Sequence, residues 1–266
     1  MASIETTDQA RRAGGLCARR LYVAWQDPVS RAISPVAALI RHEDGTYEFR
    51  YLRQADVLPG FRPFVAFPDL HRVYRSRDLF PFFENRLLPK ERSDFPAFVA
   101  SLDLPVDADP FEILARTQGR RATDTVEVFA EPVADETGSV VVRFLVRGVR
   151  HIPDAQDAID DLAPRDELRV LPDPQNAVDR FAVLLRTDDV RLVGWIPAYL
   201  TRLVHGSLAH GSGPSVVVER IGDRSGPVHH RLLCRLEADW RQPGPVLSGP
   251  EFDLLGTELP SGAHRG

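Results

Sequence analysis

Cysteine, lysine and long apolar runs are all scarce in this chain, and each shortage closes a class of protein. Two cysteines, Cys17 and Cys234, in 266 residues cannot build a disulfide framework or a cysteine-rich zinc module, and a reducing cytoplasm fits that usage. No stretch approaches the roughly 20 consecutive apolar residues of a membrane span, so no membrane partner is expected. Ala13 to Ala18, flanked by Arg11-Arg12 and Arg19-Arg20, is too short and too weakly apolar for a signal-peptide core. A formal net charge of -5 excludes a globally basic nucleic-acid-binding protein, so any hold on phosphate must come from a local patch. Lys90 is the only lysine, which leaves arginine as the positive charge almost everywhere. Arginine presents a planar fork to phosphate, but a bias spread over the whole chain locates no site and reads first as GC-rich codon usage.

Enzyme signatures are missing too. No H-E-x-x-H, G-x-S-x-G or G-x-x-x-x-G-K-[ST] occurs, and no pair of carboxylates is singled out for acid/base work. His229-His230 with Cys234 suggests half a metal site, yet alternation along a strand puts only one of those histidines on the face of Cys234. His205 and His210 fall near a helix end, where solvated side chains are the rule. The expectation is therefore no catalytic residue, no metal and no cofactor.

What is present reads as an α+β protein. Met1 to Arg20 lacks a period and is expected to be a loose arm. Leu21–Trp25 is the first strand, and Ser34–Arg41 and Thr46–Leu52 flank Asp44-Gly45, a hairpin signal because glycine tolerates the positive φ of the turn. Tyr47, Phe49 and Tyr51 would then share one face. Residues 56–76, broken by Pro59, Gly60, Pro63 and Pro68, form a long irregular connection. Helices follow from Asp78, from Ser93 and from Asp109, the last stopped at Gly119. Thr125–Phe129 is a short strand, and the acidic stretch Ala130–Gly138 marks the boundary between an N-terminal α+β domain over residues 21–132 and a second domain over 140–240.

The second half opens with a strand, Val140–Val146, that ends at Gly148 and hands over to Arg150-His151. Strands at Glu167–Leu171, Phe181–Leu185 and Leu192–Ile196 follow, the first two separated by the turn cluster Pro172-Asp173-Pro174-Gln175-Asn176. Pro197 begins a helix to about Leu208, and strands at Ser215–Ile221 and Val228–Leu236 complete the set. Arg241 onward is rich in Pro, Gly and Ser and is expected to be mobile to residue 266.

Three motifs in this order carry a resemblance: Gly148-Val149-Arg150-His151, the D-P-x-N-x-x-D-x-x-A pattern from Asp173 to Ala182, and the V-G-W-I-P step from Val193 to Pro197. Residues 140–240 resemble the HIRAN domain. That likeness implies a modified OB-like β-barrel with two helices which, in helicase-like relatives, captures single-stranded DNA at a free 3′ end. It implies Arg150 as the phosphate contact, His151 beside it where relatives carry a tyrosine, and Asp179 as acceptor for the terminal hydroxyl. Arg147, together with Arg143, shares a strand face leading to Arg150 and extends a basic stripe that Arg120-Arg121 can join. Arg150 and His151 also read as ordinary loop residues, and Asp179 equally as a turn-stabilising carboxylate beside Asp173 and Asn176. The chain departs from the family at Val178, where a stacking tyrosine is common, and at Ala198, where some relatives are basic. Trp195 offers a replacement ring or plain barrel packing.

The first half resembles the N-terminal subdomain of HipA-type kinases through L-F-P-F-F-E-N-R-L-L-P at Leu79–Pro89 and D-P-F-E-I-L-A-R-T-Q-G at Asp109–Gly119. No glycine-rich phosphate loop, H-R-D or D-F-G element follows, so the likeness implies architecture and a possible protein-partner surface, not phosphoryl transfer. The leading reading is a cytoplasmic, non-enzymatic binder of single-stranded DNA or 3′ DNA ends in DNA repair, replication-fork processing or defence. A second is a protein-interaction adaptor whose barrel no longer binds DNA. A third, a metal-dependent hydrolase or nuclease component, lacks a ligand cluster in the sequence.

Overall fold

A computed structural model describes residues 20–119, 125–211, 213–241 and 243–256. Cys17 with the rest of the N-terminal arm, Arg120-Arg121 and residues 257–266 lie outside the described residues. The architecture is mixed α+β on antiparallel sheets. Its N-terminal part runs β1 (Arg20–Gln26), β2 (Ile33–Arg41), β3 (Tyr47–Tyr51), α1 (Arg53–Val57), β4 (Tyr74–Ser76), α2 (Pro81–Glu84), α3 (Phe95–Ser101), α4 (Pro110–Thr117) and β5 (Val126–Ala130). The strands form one sheet in the order β4-β3-β2-β1-β5.

The β2–β3 hairpin closes on Asp44-Gly45 as the sequence predicts, with Gly45 at φ +83° and Asp44 accepting from the Thr46 amide at 2.9 Å. Tyr47, Phe49 and Tyr51 are all buried in one aromatic cluster. The proline-broken connection supplies the other half of that cluster, Phe67 stacking on Phe49 with ring centroids 3.8 Å apart. The Tyr51 hydroxyl donates to the Phe67 carbonyl at 2.8 Å and accepts from the Phe64 amide at 2.7 Å, which ties an irregular segment to a regular strand. Asp109 caps α4 by accepting from the Phe111 amide. The helix expected from Asp78 begins only at Pro81 and is one turn long, and the one expected from Ser93 begins at Phe95 without a side-chain cap.

The C-terminal part runs β6 (Val133–Ala134), β7 (Ser139–Leu145), α5 (Ala155–Asp160), β8 (Glu167–Pro172), β9 (Val183–Arg186), β10 (Leu192–Trp195), α6 (Ala198–Ala209), β11 (Ser215–Ile221), β12 (Leu232–Asp239) and β13 (Gly244–Pro245). Six of these strands make a sheet in the order β10-β9-β8-β11-β12-β7, and β13 pairs with β6. The six-stranded sheet curls. Strand β8 pairs β11 through Glu167 and Leu168 and then β9 from Arg169 onward. A bridge between Arg147 and Trp195, just beyond β7 and at the end of β10, brings the two edges together. Val228–His230, expected as the start of a strand, is a 3-10 turn, and the strand begins at Leu232.

One apolar core takes residues from both sides of the Ala130–Gly138 stretch. Successive residues of β1 face opposite sides: Leu21 and Val23 enter the aromatic cluster, while Tyr22 and Ala24 enter the core built on the six-stranded sheet. All four are fully buried, as a central strand covered on both faces requires. Phe129 of β5 stacks on Tyr199 of α6 at 3.9 Å, and Gln118 donates to the Tyr199 hydroxyl at 2.9 Å. The stretch beyond Arg241, expected from composition to be mobile, is packed as far as Gly256. Val246 and Leu247 are buried, and the Leu255 amide donates to the Tyr51 carbonyl at 2.7 Å. A few apolar side chains anchor a backbone whose average composition is polar.

Candidate nucleic-acid interface

Trp195 is the hinge on which the three sequence motifs meet. Its backbone exchanges two hydrogen bonds with Arg147, N–H to O at 2.8 Å and O from N–H at 2.9 Å. Its ring lies against Gly148, so closely that a Cβ there would overlap Cε3 and lie 2.7 Å from Cζ3. Its indole Nε1 donates to Asp173 Oδ2 at 3.1 Å, and Asn176 Nδ2 donates to the same oxygen at 3.0 Å. Asn176 Oδ1 then accepts from the amides of Val178 and Asp179, at 3.0 and 3.1 Å. Thus the tryptophan of the third motif touches the glycine of the first and the aspartate of the second. Ring packing and a polar tip are used at once, as expected for a half-buried indole.

The Gly148 corner places Arg150 and His151 in the exposed 3-10 turn Val149–His151. Arg150 Nε donates to His151 Nε2 at 3.1 Å, an arrangement that needs the imidazole neutral with its proton on Nδ1. Among the described residues only Nε of Arg150 is hydrogen-bonded, and no carboxylate pairs with its guanidinium.

Asp179, in the second motif, is half-buried. Its Oδ1 accepts from the Phe181 amide at 2.8 Å, the Asx turn that the bland reading of the sequence expected. Among the described residues Oδ2 has no hydrogen-bond partner. A carboxylate held by one oxygen and open at the other is a fixed acceptor. Val178 is exposed and offers no ring.

Phe181 was expected to open an apolar strand, but β9 starts at Val183, and Phe181 stays in the turn, 51% exposed. The Arg180 guanidinium lies 4.7 Å from its ring centroid, and like Arg150 it has no carboxylate partner among the described residues. His205 of α6 meets the ring edge-on at 5.9 Å and donates from Nε2 to the Phe181 carbonyl at 3.0 Å. Sequence reasoning missed Phe181 and Arg180. The signal was the Asx-capping pattern two residues upstream, which delays the strand and leaves a phenylalanine outside the barrel.

Arg143 and Arg147, expected to extend a basic stripe, are both held in ion pairs. Arg143 pairs with Glu219 at 2.7 Å, and Arg147 turns inward to Glu127 of β5 at 2.7 Å, with side chains 15% and 7% exposed. Both guanidinium groups are taken by carboxylates that lie far away in sequence and close in space. The acidic helix α5 is likewise neutralised pair by pair: Arg224 holds Asp157 at 2.7 Å, Arg191 holds Asp161 at 2.7 Å, and the buried Arg231 holds Asp160. Exposed pairs of this kind add little stability. They do remove loose negative charge from the approach to the corner.

The 3-10 turn Val228–His230 packs against the one that carries Arg150. Burial, with smaller contributions from His229 and Arg147, pushes the His230 imidazole down to about 4. Folding therefore keeps His230 neutral while the unfolded chain gains a proton near pH 6.5, so stability present above that pH is lost as pH falls toward 4. His230 still reaches water, and screening holds the loss to on the order of 1–2 kcal/mol. Chemical denaturation at pH 7 and pH 4.5 is expected to show that loss in the native chain and a smaller one in His230→Gln. Equal losses would remove His230 as a cause. Among the described residues no group of three His, Cys, Asp or Glu side chains could hold a metal ion, and no described helix is long and apolar enough to cross a membrane.

No family model matches the chain, and no curated protein matches it. Among solved structures it is similar to a Lactobacillus plantarum protein from a structural genomics consortium, at 17% identity and a TM-score of 0.32, over 38% of this chain and 97% of that one. It is also similar to the HIRAN domain of human HLTF, at 17% identity and a TM-score of 0.28, over 39% of this chain and 78% of that chain.

Proposed function

We propose that this chain binds single-stranded DNA and recognises a free 3′ end with a HIRAN-type, OB-like barrel, while the N-terminal α+β region serves as scaffold and partner surface. The observation that supports the reading is the meeting of the three motifs at Trp195, the first motif carrying Arg150, which has no carboxylate partner among the described residues, and the second carrying Asp179, whose Oδ1 alone is engaged there. The guanidinium suits a backbone phosphate. The carboxylate accepts a hydrogen bond from a terminal hydroxyl and repels a terminal phosphate, so the pair can report that a strand has ended. Repair, fork processing or defence is the setting that the HIRAN resemblance implies.

Arg150→Ala is expected to weaken binding of a 3′-hydroxyl oligonucleotide about tenfold and to lower the slope of log affinity against log salt by about 0.7, the share of one phosphate on a single strand. Fluorescence anisotropy across a salt series reads both. Asp179→Asn keeps the Asx turn but is expected to erase the preference for a hydroxyl over a phosphate at the 3′ end. An unchanged slope in the first variant and unchanged preference in the second would remove these residues from the pocket. The adaptor reading keeps a place because Arg143 and Arg147 are committed to ion pairs and Val178 has no ring; it predicts no salt-dependent binding by the native chain.

A further inference from the structure

The ring of Phe181, next to the Asp179 turn, stays 51% exposed. Ala182 and Val183 immediately after it are buried, so the chain enters the barrel only one residue later. A phenylalanine half in water costs the burial it forgoes, and a scattered exposed residue of this kind is common by itself. Phe181 is not by itself. The Arg180 guanidinium, with no carboxylate partner among the described residues, lies 4.7 Å from the ring centroid. His205 fixes the backbone of the same residue through its carbonyl and meets the ring edge-on. Asp179 fixes that backbone from the other side, by accepting from the Phe181 amide. The backbone of Phe181 is thus held at both its amide and its carbonyl, and a cation lies over one face of its ring.

We propose that Phe181 is a stacking platform for an unpaired base of single-stranded DNA, with Arg180 neutralising the phosphate of that nucleotide and His205 holding the platform in place. The proposal rests on the end-binding reading of Asp179 and adds a second point of contact to it. Stacking suits this position because it needs only a π-face and tolerates any base. The Phe181 carbonyl can only accept, so Nε2 of His205 carries the proton in that bond. His205 is therefore a positioning residue, and Phe181 and Arg180 are the contacts.

The test uses the full chain and oligothymidylates with a free 3′ hydroxyl, each carrying a single 2-aminopurine moved stepwise back from the end. Stacking quenches 2-aminopurine fluorescence. Native protein is expected to quench it at one position near the end, Phe181→Leu to lose that quenching and bind about tenfold more weakly, and Phe181→Trp to restore both. An abasic nucleotide at the quenched position is expected to make native and Phe181→Leu protein bind equally. Since Phe181 is half-exposed, its variants are expected to melt with the native chain. Arg150-dependent binding by native protein with quenching that survives Phe181→Leu would overturn the platform and leave the end pocket standing. Failure of the native chain to bind any of these oligonucleotides would overturn both.

Discussion

Gly194→Ala is expected to destabilise the fold by about 3 kcal/mol, a fall in melting temperature of roughly 6–12 °C. Gly194 sits at φ +149°, a conformation that L side chains rarely adopt. A Cβ there would overlap Val146 Cγ1 and lie 2.5 Å from the Arg147 carbonyl oxygen. That carbonyl accepts from the Trp195 amide, in the bridge that joins the two edges of the curled sheet. Relief of the clash must therefore come from the bridge itself, and Trp195 would shift off Gly148 and Asp173. Thermal melts measure the loss of stability. Anisotropy at a temperature where the variant remains folded measures whether the proposed oligonucleotide binding falls as well, and both are expected to fall. A variant that melts with the native chain would show that the corner has slack the geometry does not reveal.

Arg147→Met is expected to cost about 3–5 kcal/mol, because it removes the guanidinium paired at 2.7 Å with the buried Glu127 carboxylate. Adding Glu127→Leu in the same chain is expected to recover most of that loss, since replacing both members of a buried pair by apolar groups is often close to neutral. The pair links the corner of the barrel to β5 of the first sheet, so its integrity bears on how the two halves hold together. The double variant also separates two roles for Arg147. A structural residue leaves the salt slope of DNA binding unchanged once folding is restored, whereas a phosphate contact would lower the slope as Arg150→Ala does. Recovery of stability with a lowered slope would return Arg147 to the interface.

Those two variants mark the limit of what was legible in the sequence. Local signals carried far: Asp44-Gly45 closes its hairpin, Asp109 caps its helix, and three short motifs marked the residues that meet around Trp195. They are readable because turn chemistry and capping are settled within a few residues. The destination of Arg147 was not readable. Glu127 lies on a strand 20 residues earlier, and only the packing of one half on the other brings it within 2.7 Å. Phe181 escaped for a different reason. An apolar residue before an apolar run looks like part of the strand, and the two-residue delay imposed by the Asp179 turn appears only in the backbone. The segment after Arg241 shows the same limit. Composition averages over residues, whereas Val246, Leu247 and Leu255 each find a particular partner.

The most direct measurement is the affinity of the native chain for one oligonucleotide sequence prepared with a 3′ hydroxyl, with a 3′ phosphate and with its 3′ end closed into a hairpin. An end pocket built from Arg150 and Asp179 predicts binding that weakens with salt and favours the free hydroxyl about tenfold over either other form. Equal affinity for all three forms, or no salt-dependent binding at all, would contradict it.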